Sequence, residues 1–304
     1  MRDHDFGGPT VRSRRRRFDD EPVKLKRRGP QPRLPDPDAG DGPPAGDRWS
    51  TWDAAAKGPE PWPDWIITDH AAVDTDLGVL KTGKEADVHL VERSVPGTDR
   101  RVLLAAKRYR APEHRLFHRD AGYLEGRRVK ESRVTRAMSN RTSFGRDVIA
   151  GEWAAAEFDA LNRLWRIGRE HGGVRVPYPV QVDGTELMLE FLGDADGQAA
   201  PRLVQTRPTR AQVTAWWGQL VDALTVLARA GLAHGDLSPY NVLVHDDNLV
   251  LIDLPQVVDI VINPQGPEFL ARDVRNVAGW FASRGHPVDA DGLVADLLID
   301  ANYR

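Results

Sequence analysis

The stretch HGDLSPYNVL, residues 234–243, decides how this 304-residue chain is read. Asp236 and Asn241 stand at D-x-x-x-x-N spacing, between a helical stretch that stops at Gly231 and a run of apolar strand. An aspartate placed so can accept a hydroxyl proton or orient a nucleophile, and an asparagine can offer its amide oxygen to Mg²⁺. The plain alternative is an Asp-Leu-Ser-Pro turn whose side chains cap the backbone. Nothing inside the stretch separates the two, so its neighbours must.

Downstream, the apolar run NLVLIDLP (248–255) closes on Asp253. Hard cations take carboxylate and amide oxygens, so a strand-ending aspartate after Asn241 is where a second Mg²⁺ ligand is needed. Upstream, RVLLAAKRYR (101–110) reads as a strand in which Lys107 follows an apolar run. Its stem is then buried and its ammonium requires an anion. The stretch DVIAGEWAAAEFDALNRLWRIGREHGG (147–173) sets Ile149, Trp153, Ala156, Ala160, Leu164 and Ile167 at helical spacing. Glu157, one turn after Trp153, points inward with them, and a lone carboxylate there would be costly. Lys107 and Glu157 therefore satisfy each other, and the pair aims Lys107 at the α- and β-phosphates of a nucleotide. LGVLKTGKEADVHLVER (77–93) reads as strand, turn and strand, with the turn at Thr82–Glu85. Gly83 is a single glycine where a phosphate-covering loop usually has several, while Thr82, Lys84 and Glu85 add donors and charge. Phosphoryl transfer asks for phosphates held, metal ions bridging them and a base in line. The turn with Lys107, then Asn241 with Asp253, then Asp236 supply those three parts.

The rest of the chain frames these motifs. VRVPYPVQVDGTELMLEFLG (174–193) gives two strands around Asp183-Gly184. TRAQVTAWWGQLVDALTVLARAG (209–231) is a long amphipathic helix, NVLVHDDNLVLIDL (241–254) a hairpin turning at 246–248, and 267–284 and 287–300 are closing helices. Residues 1–48 hold RSRRRR (12–17), KLKRR (24–28) and a Pro/Gly-rich run with few large apolar side chains. Such a segment cannot offset its ordering entropy and is expected to be a disordered tail, whose basic half could meet RNA. Residues 111–147 are Arg-rich without period, which predicts a flexible insertion. Trp49, Trp52, Trp62 and Trp65 read as apolar plugs against a domain spanning 49–304. With 40% apolar content, a net charge of −3 and no cysteine, a globular core is affordable, and thiol nucleophiles, disulfides and Cys-bound zinc are excluded. No apolar run approaches the roughly 18 residues of a membrane span, and the charged N-terminus lacks a secretory signal, so a cytoplasmic location is expected.

Four of these stretches together, TGKEADVH (82–89), HGDLSPYNVL, IDLPQVV (252–258) and FLARDVRNVAGWF (269–281), resemble the RIO-type atypical protein kinases, most closely their first subfamily. The resemblance covers about residues 70–300. It implies an α+β, two-lobed, protein-kinase-like fold, with a β-rich N-lobe over about 70–190 and a reduced, mostly helical C-lobe over about 191–304. It also implies a hinge at Met188–Leu192, which adds Glu190 and Leu192 to the ATP contacts. The implied activity is ATP- and Mg²⁺-dependent phosphorylation of serine or threonine, or ATP hydrolysis, with autophosphorylation on serine. In archaea and eukaryotes the family assists small ribosomal subunit maturation. Leu254 and Pro255 replace the Phe-Gly of the usual Asp-Phe-Gly, and only 51 residues follow Asp253; both departures speak against ordinary peptide-substrate recognition and not against ATP chemistry. His234-Gly235-Asp236 also resembles antibiotic and choline phosphotransferases, so a small-molecule kinase is one alternative. An ATP-gated assembly factor with little turnover is the other.

Overall fold

The computed structural model describes residues 42–43, 45–110 and 143–302. Residues 1–41 of the expected tail, and 111–142 of the expected insertion, lie outside the described residues. Period-2 patterning and the 183–184 turn produce an antiparallel sheet from β1 (Arg48–Trp49), β2 (Ala56–Lys57), β3 (Val73–Thr82), β4 (Ala86–Ser94), β5 (Arg101–Tyr109), β6 (Pro179–Asp183) and β7 (Glu186–Glu190). Its order is β1-β3-β4-β5-β7-β6-β2. The first two strands are neighbours in the chain yet lie on opposite edges, β1 beside β3 and β2 beside β6. A few residues thus clasp both edges of a curled sheet.

One face of the sheet is capped by that N-terminal segment. Trp52 and Ile66 pack with Val91, Leu104, Ala106, Tyr178, Val180 and Met188, and Trp62 and Trp65 lie against them. Trp52–Trp62 and Trp65–Tyr178 meet edge to face, with centroids at 5.0 and 5.9 Å. Such pairs add about 0.5–1.5 kcal/mol each beyond burial. Three of the four tryptophans act as plugs; Trp49 is 42% exposed and does not. On the same face the fully buried Arg93 binds Asp74 at 2.7 and 3.0 Å and Gln181 at 2.8 Å. Gln181 in turn donates to Thr51 at 2.6 Å, which ties the clasp to both edges.

The other face receives helix α1 (Ser143–His171), which starts inside the span assigned to the insertion. Its buried residues are Ala150, Ala154, Ala156, Glu157, Phe158, Leu161 and Leu164, so the expected Ala156 and Leu164 are among them. That is a small rotation from the stripe expected through Ile149, Trp153 and Ala160, because Ala150 and Ala154 are small enough to seat the helix against Tyr109 and Ala86. Trp153 stays half-buried at the flank. Past Leu192 the chain is mostly helical. Helix α2 (Arg210–Arg229) starts at a Thr209–Gln212 capping box. It leads into β8 (Leu232–Ala233), which pairs with β11 (Val258–Asp259). Between them β9 (Val242–His245) and β10 (Asn248–Leu251) form a hairpin, with Asp246 and Asp247 at φ 49° and 60° in its turn. Helices α3 (Gly266–Ala282) and α4 (Ala290–Asp300) close the core. That core runs without a break from Phe158 and Leu164 of α1 through Leu220 and Leu224 to Val274 and Phe281. Among the described residues no helix is long and apolar enough to cross a membrane.

Candidate active site

The quoted loop is held from behind. Gly235 has φ +85°, and a Cβ there would lie 2.2 Å from the Gln256 carbonyl oxygen, so only glycine fits between the two loops. The fully buried Asp273 of α3 accepts from the N–H groups of Gly235 (2.7 Å) and Leu237 (2.8 Å). Arg272 donates to the Gly235 carbonyl, and Asn276 Nδ2 to that of Leu237 at 3.1 Å. Burial pushes the Asp273 carboxyl up, against the opposing pull of His234 and those two N–H groups. The buried His234 ring spans to the Ile252 carbonyl through Nε2 at 3.0 Å. With residues 235 and 237 pinned, Asp236 between them is presented to solvent. Asn241 Nδ2 donates to the Asp236 carbonyl at 2.8 Å and lies 3.4 Å from its Oδ2. The amide oxygen, the atom a hard cation takes, is on the other arm.

Across from this loop, Lys107 meets three acidic oxygens. Its Nζ lies 2.8 and 2.7 Å from the two Glu157 oxygens and 2.6 Å from Asp253 Oδ1. Glu157 also accepts from Tyr109 OH and from the Leu254 N–H at 3.2 Å. Burial alone would lower the Lys107 ammonium, but Glu157 and then Asp253 outweigh it and hold it above the usual lysine range. Burial likewise pushes the Asp253 carboxyl up, and the charge on Lys107 and then Lys81 brings it well below the usual carboxylate range. Asp253 has φ +61°, a conformation costing about 1–3 kcal/mol for a non-glycine residue and tolerated where the surroundings dictate it. The Ile252 N–H donates to the Asn241 carbonyl at 3.1 Å, so the Asp253 strand and the 234–243 loop are joined beside the acidic groups.

The turn at 82–85 closes between β3 and β4 as expected. The Gly83 N–H donates to the Ala86 carbonyl at 2.9 Å, and a Cβ on Gly83 would lie 2.9 Å from that oxygen. Thr82, Lys84 and Glu85 are exposed, and the Arg110 N–H holds the Glu85 carbonyl at 2.8 Å. Ala86 pairs with Tyr109, which sets the turn at the Lys107 end of the sheet. The hinge residues divide. Leu192 is buried, its carbonyl accepting from Ala200 N–H at 2.8 Å. Glu190 Oε2 accepts the Tyr178 N–H at 3.0 Å, its own N–H donates to the Tyr178 carbonyl at 2.9 Å, and β7 puts the carboxylate on the face opposite Lys107. The structure therefore gathers Lys107, Glu157 and Asp253 in direct contact and Asp236 with Asn241 beside them. It does not bring in the Glu190 side chain.

Two contributors escaped the sequence reading. Tyr109 sits two residues after Lys107 on the same strand face, a period-2 relation that marks it in retrospect. Asp273 interrupts the apolar stripe of Leu270, Val274 and Val277 on α3, the only outward sign of a buried acceptor. Asn241 and Asp253 provide the hard oxygen donors that suit Mg²⁺. Among the described residues no group of three His, Asp or Glu side chains forms a closed metal cage. A cation here would complete its shell with phosphate and water oxygens, as Mg²⁺ does in nucleotide sites.

A family model described as the RIO domain matches residues 106–293. The chain is 36% identical over 221 residues to the RIO-type serine/threonine-protein kinase Rio1 of Haloferax volcanii, covering 73% of this chain and 68% of that protein. It is 32% identical over 233 residues to the serine/threonine-protein kinase RIO1 of Chaetomium thermophilum, and 31% over 149 residues to that of Saccharomyces cerevisiae. Those matches cover 42% and 30% of the fungal proteins, so the chain spans less than half their length. The family match takes in more than half of the chain and every member of the Lys107, Glu157, Asp236, Asn241 and Asp253 set: the chain belongs to the RIO domain family.

Proposed function

We propose that this chain is an ATP- and Mg²⁺-dependent protein kinase acting on serine or threonine hydroxyls, its own included, built as a two-lobed kinase domain over about 49–304. The observation that carries the reading is Lys107, held charged between Glu157 and Asp253 and facing a loop whose backbone is pinned so that Asp236 is exposed. Family membership favours it over the small-molecule phosphotransferase alternative.

In this reading Lys107, steadied by Glu157, anchors the α- and β-phosphates, and the Thr82–Glu85 turn covers them. The backbone of Glu190 and Leu192 lines the adenine end. Asn241 and Asp253 would hold Mg²⁺, which would supply positive charge against the phosphates during transfer. Asp236 orients the attacking hydroxyl and takes its proton as the new P–O bond forms and the bond to the β-phosphate oxygen breaks, releasing ADP. The test is turnover of ATP by purified protein with and without Asp236→Ala. A loss of about a thousandfold, some 4 kcal/mol of transition-state stabilisation, is expected with nucleotide affinity nearly intact. Near wild-type turnover would refute the assignment. Asp253→Ala should instead lose turnover together with Mg²⁺ dependence.

The basic runs at 12–17 and 24–28 support, on charge alone, an RNA-facing role such as one at the small ribosomal subunit. Deleting residues 1–48 should then lower RNA affinity and flatten its salt dependence, because fewer phosphate counterions are released, while sparing ATP hydrolysis. Salt-independent RNA binding by the full chain would remove that role.

A further inference from the structure

The segment after Leu192 runs back along the 234–243 loop and the start of β9, and is laced to both. The Val244 N–H donates to the Pro201 carbonyl at 2.9 Å, the Val204 N–H to the Pro239 carbonyl at 3.0 Å, and Arg202 bridges Leu243 between them. Leu203 is fully buried, so the segment is anchored where it passes the loop. Arg202 is thereby fixed beside the exposed side of that loop. Its Nη1 donates to the Tyr240 carbonyl at 2.7 Å, its one side-chain hydrogen bond among the described residues. Tyr240 is 50% exposed, and Asp236 is exposed as well. Arg272 flanks Asp236 from the other end of the loop, lying over the Phe269 ring at 4.8 Å and donating to the Gly235 carbonyl. The carboxylates within electrostatic reach of these two arginines are already engaged. Asp253, near Arg202, accepts from Lys107 at 2.6 Å, and Asp273, near Arg272, accepts from two backbone N–H groups. A guanidinium stays charged at any working pH and carries several N–H donors in a planar fork. One bond to a carbonyl therefore leaves Arg202 an edge able to take a carboxylate.

We infer that Arg202 selects the acceptor: the hydroxyl offered to Asp236 belongs to a serine or threonine with an acidic residue close by, whose carboxylate Arg202 binds. The inference rests on the protein-kinase reading above and adds the class of acceptor. An acidic segment entering past the negative Asp236 needs a counter-charge, and Arg202, with Arg272 at the far end, supplies it.

Phosphorylation of synthetic serine peptides by the full chain tests it, with alanine flanks replaced one at a time by Asp or Lys. For wild-type protein, kcat/KM for the best Asp-flanked peptide should exceed that for the all-alanine one about tenfold, the worth of one charge-assisted contact. Lys at the same position should lower it. Arg202→Gln keeps an N–H for the Tyr240 carbonyl without the charge, and should bring the Asp-to-Ala ratio close to unity. Arg202→Glu should turn the preference toward Lys. The ratio separates selection from mere support of the loop, because a displaced loop lowers all peptides alike. Wild-type protein without a preference for acid, or an Asp-to-Ala ratio that survives in Arg202→Gln, would overturn the assignment. So would wild-type protein that hydrolyses ATP but phosphorylates none of the peptides. Wild-type protein that neither binds nor hydrolyses ATP would instead remove the kinase reading, and the acceptor inference with it.

Discussion

Lys107 keeps its charge where water barely reaches, and three acidic oxygens are organised around it. Lys107→Ala would leave Glu157, 1% exposed, without its cation. Breaking a buried pair from one side costs about 3–5 kcal/mol, so urea denaturation should show a loss of that size, together with weaker ATP binding. Tyr109→Phe is a milder change, since Lys107 and the Leu254 N–H still hold Glu157. A stability loss of about 1 kcal/mol is expected from the missing hydroxyl, with kcat reduced more than the KM for ATP. A fall confined to stability would make Tyr109 a packing residue only. At this scale the sequence was legible wherever chemistry needs a residue type at a fixed spacing, as with Asp236, Asn241 and Asp253. Tyr109 was not legible in that way, because its role passes through another side chain.

Helix α3 sets the 234–243 loop by holding its backbone through Asp273, Arg272 and Asn276. Asp273→Ala would strand the buried N–H groups of Gly235 and Leu237, at about 1–3 kcal/mol for each unpaired group. The loop would then sample other conformations, so kcat should drop at least tenfold while ATP affinity, which the proposed reading assigns to Lys107, changes little. Unchanged kcat in a folded Asp273→Ala protein would show that the loop needs no such brace. Elements as a whole were easier to read than their faces. The turn at 82–85, the 183–184 hairpin and the long helix ending before Gly231 follow from apolar period and glycine placement. The stripe of α1 came out rotated, because bulk suggested Ile149 and Trp153 where close approach to the sheet selects Ala150 and Ala154. Asp273 was hidden for a related reason, since one acidic residue in an apolar stripe carries no spacing that names its partner.

The molecule as a whole depends on charges laid across the curled sheet. Glu186 is flanked by Arg48 from the clasp and Arg108 from β5, with 2.7 Å to the latter. Burial would raise its carboxyl, but those two guanidinium groups outweigh it and hold it below its ordinary 4.5. A carboxylate depressed in the folded state stabilises the protein above its unfolded value, and that contribution fades as pH falls through the lower folded value. Wild-type stability should therefore drop steeply below about pH 4.5, and Glu186→Gln should flatten that acid limb. An unaltered acid limb would mean that the cross-sheet pair contributes nothing measurable. The clasp itself was not legible, because two-residue strands carry no period and their partners lie far along the chain.

That clasp also imposes an order in time. Residues 48–57 leave the ribosome before nearly all of the sheet, yet β2 has no partner until β6, ending at Asp183, has emerged. At about 5–20 residues per second the wait is on the order of ten seconds. Throughout it the face that Trp52, Trp62 and Trp65 cover has Val91, Leu104 and Ala106 but lacks Tyr178, Val180 and Met188, which makes this stretch a binding segment for a chaperone that recognises exposed aromatic chain. Nascent chains arrested before residue 179 should be retained by such a chaperone, and those arrested well beyond residue 193 should be released.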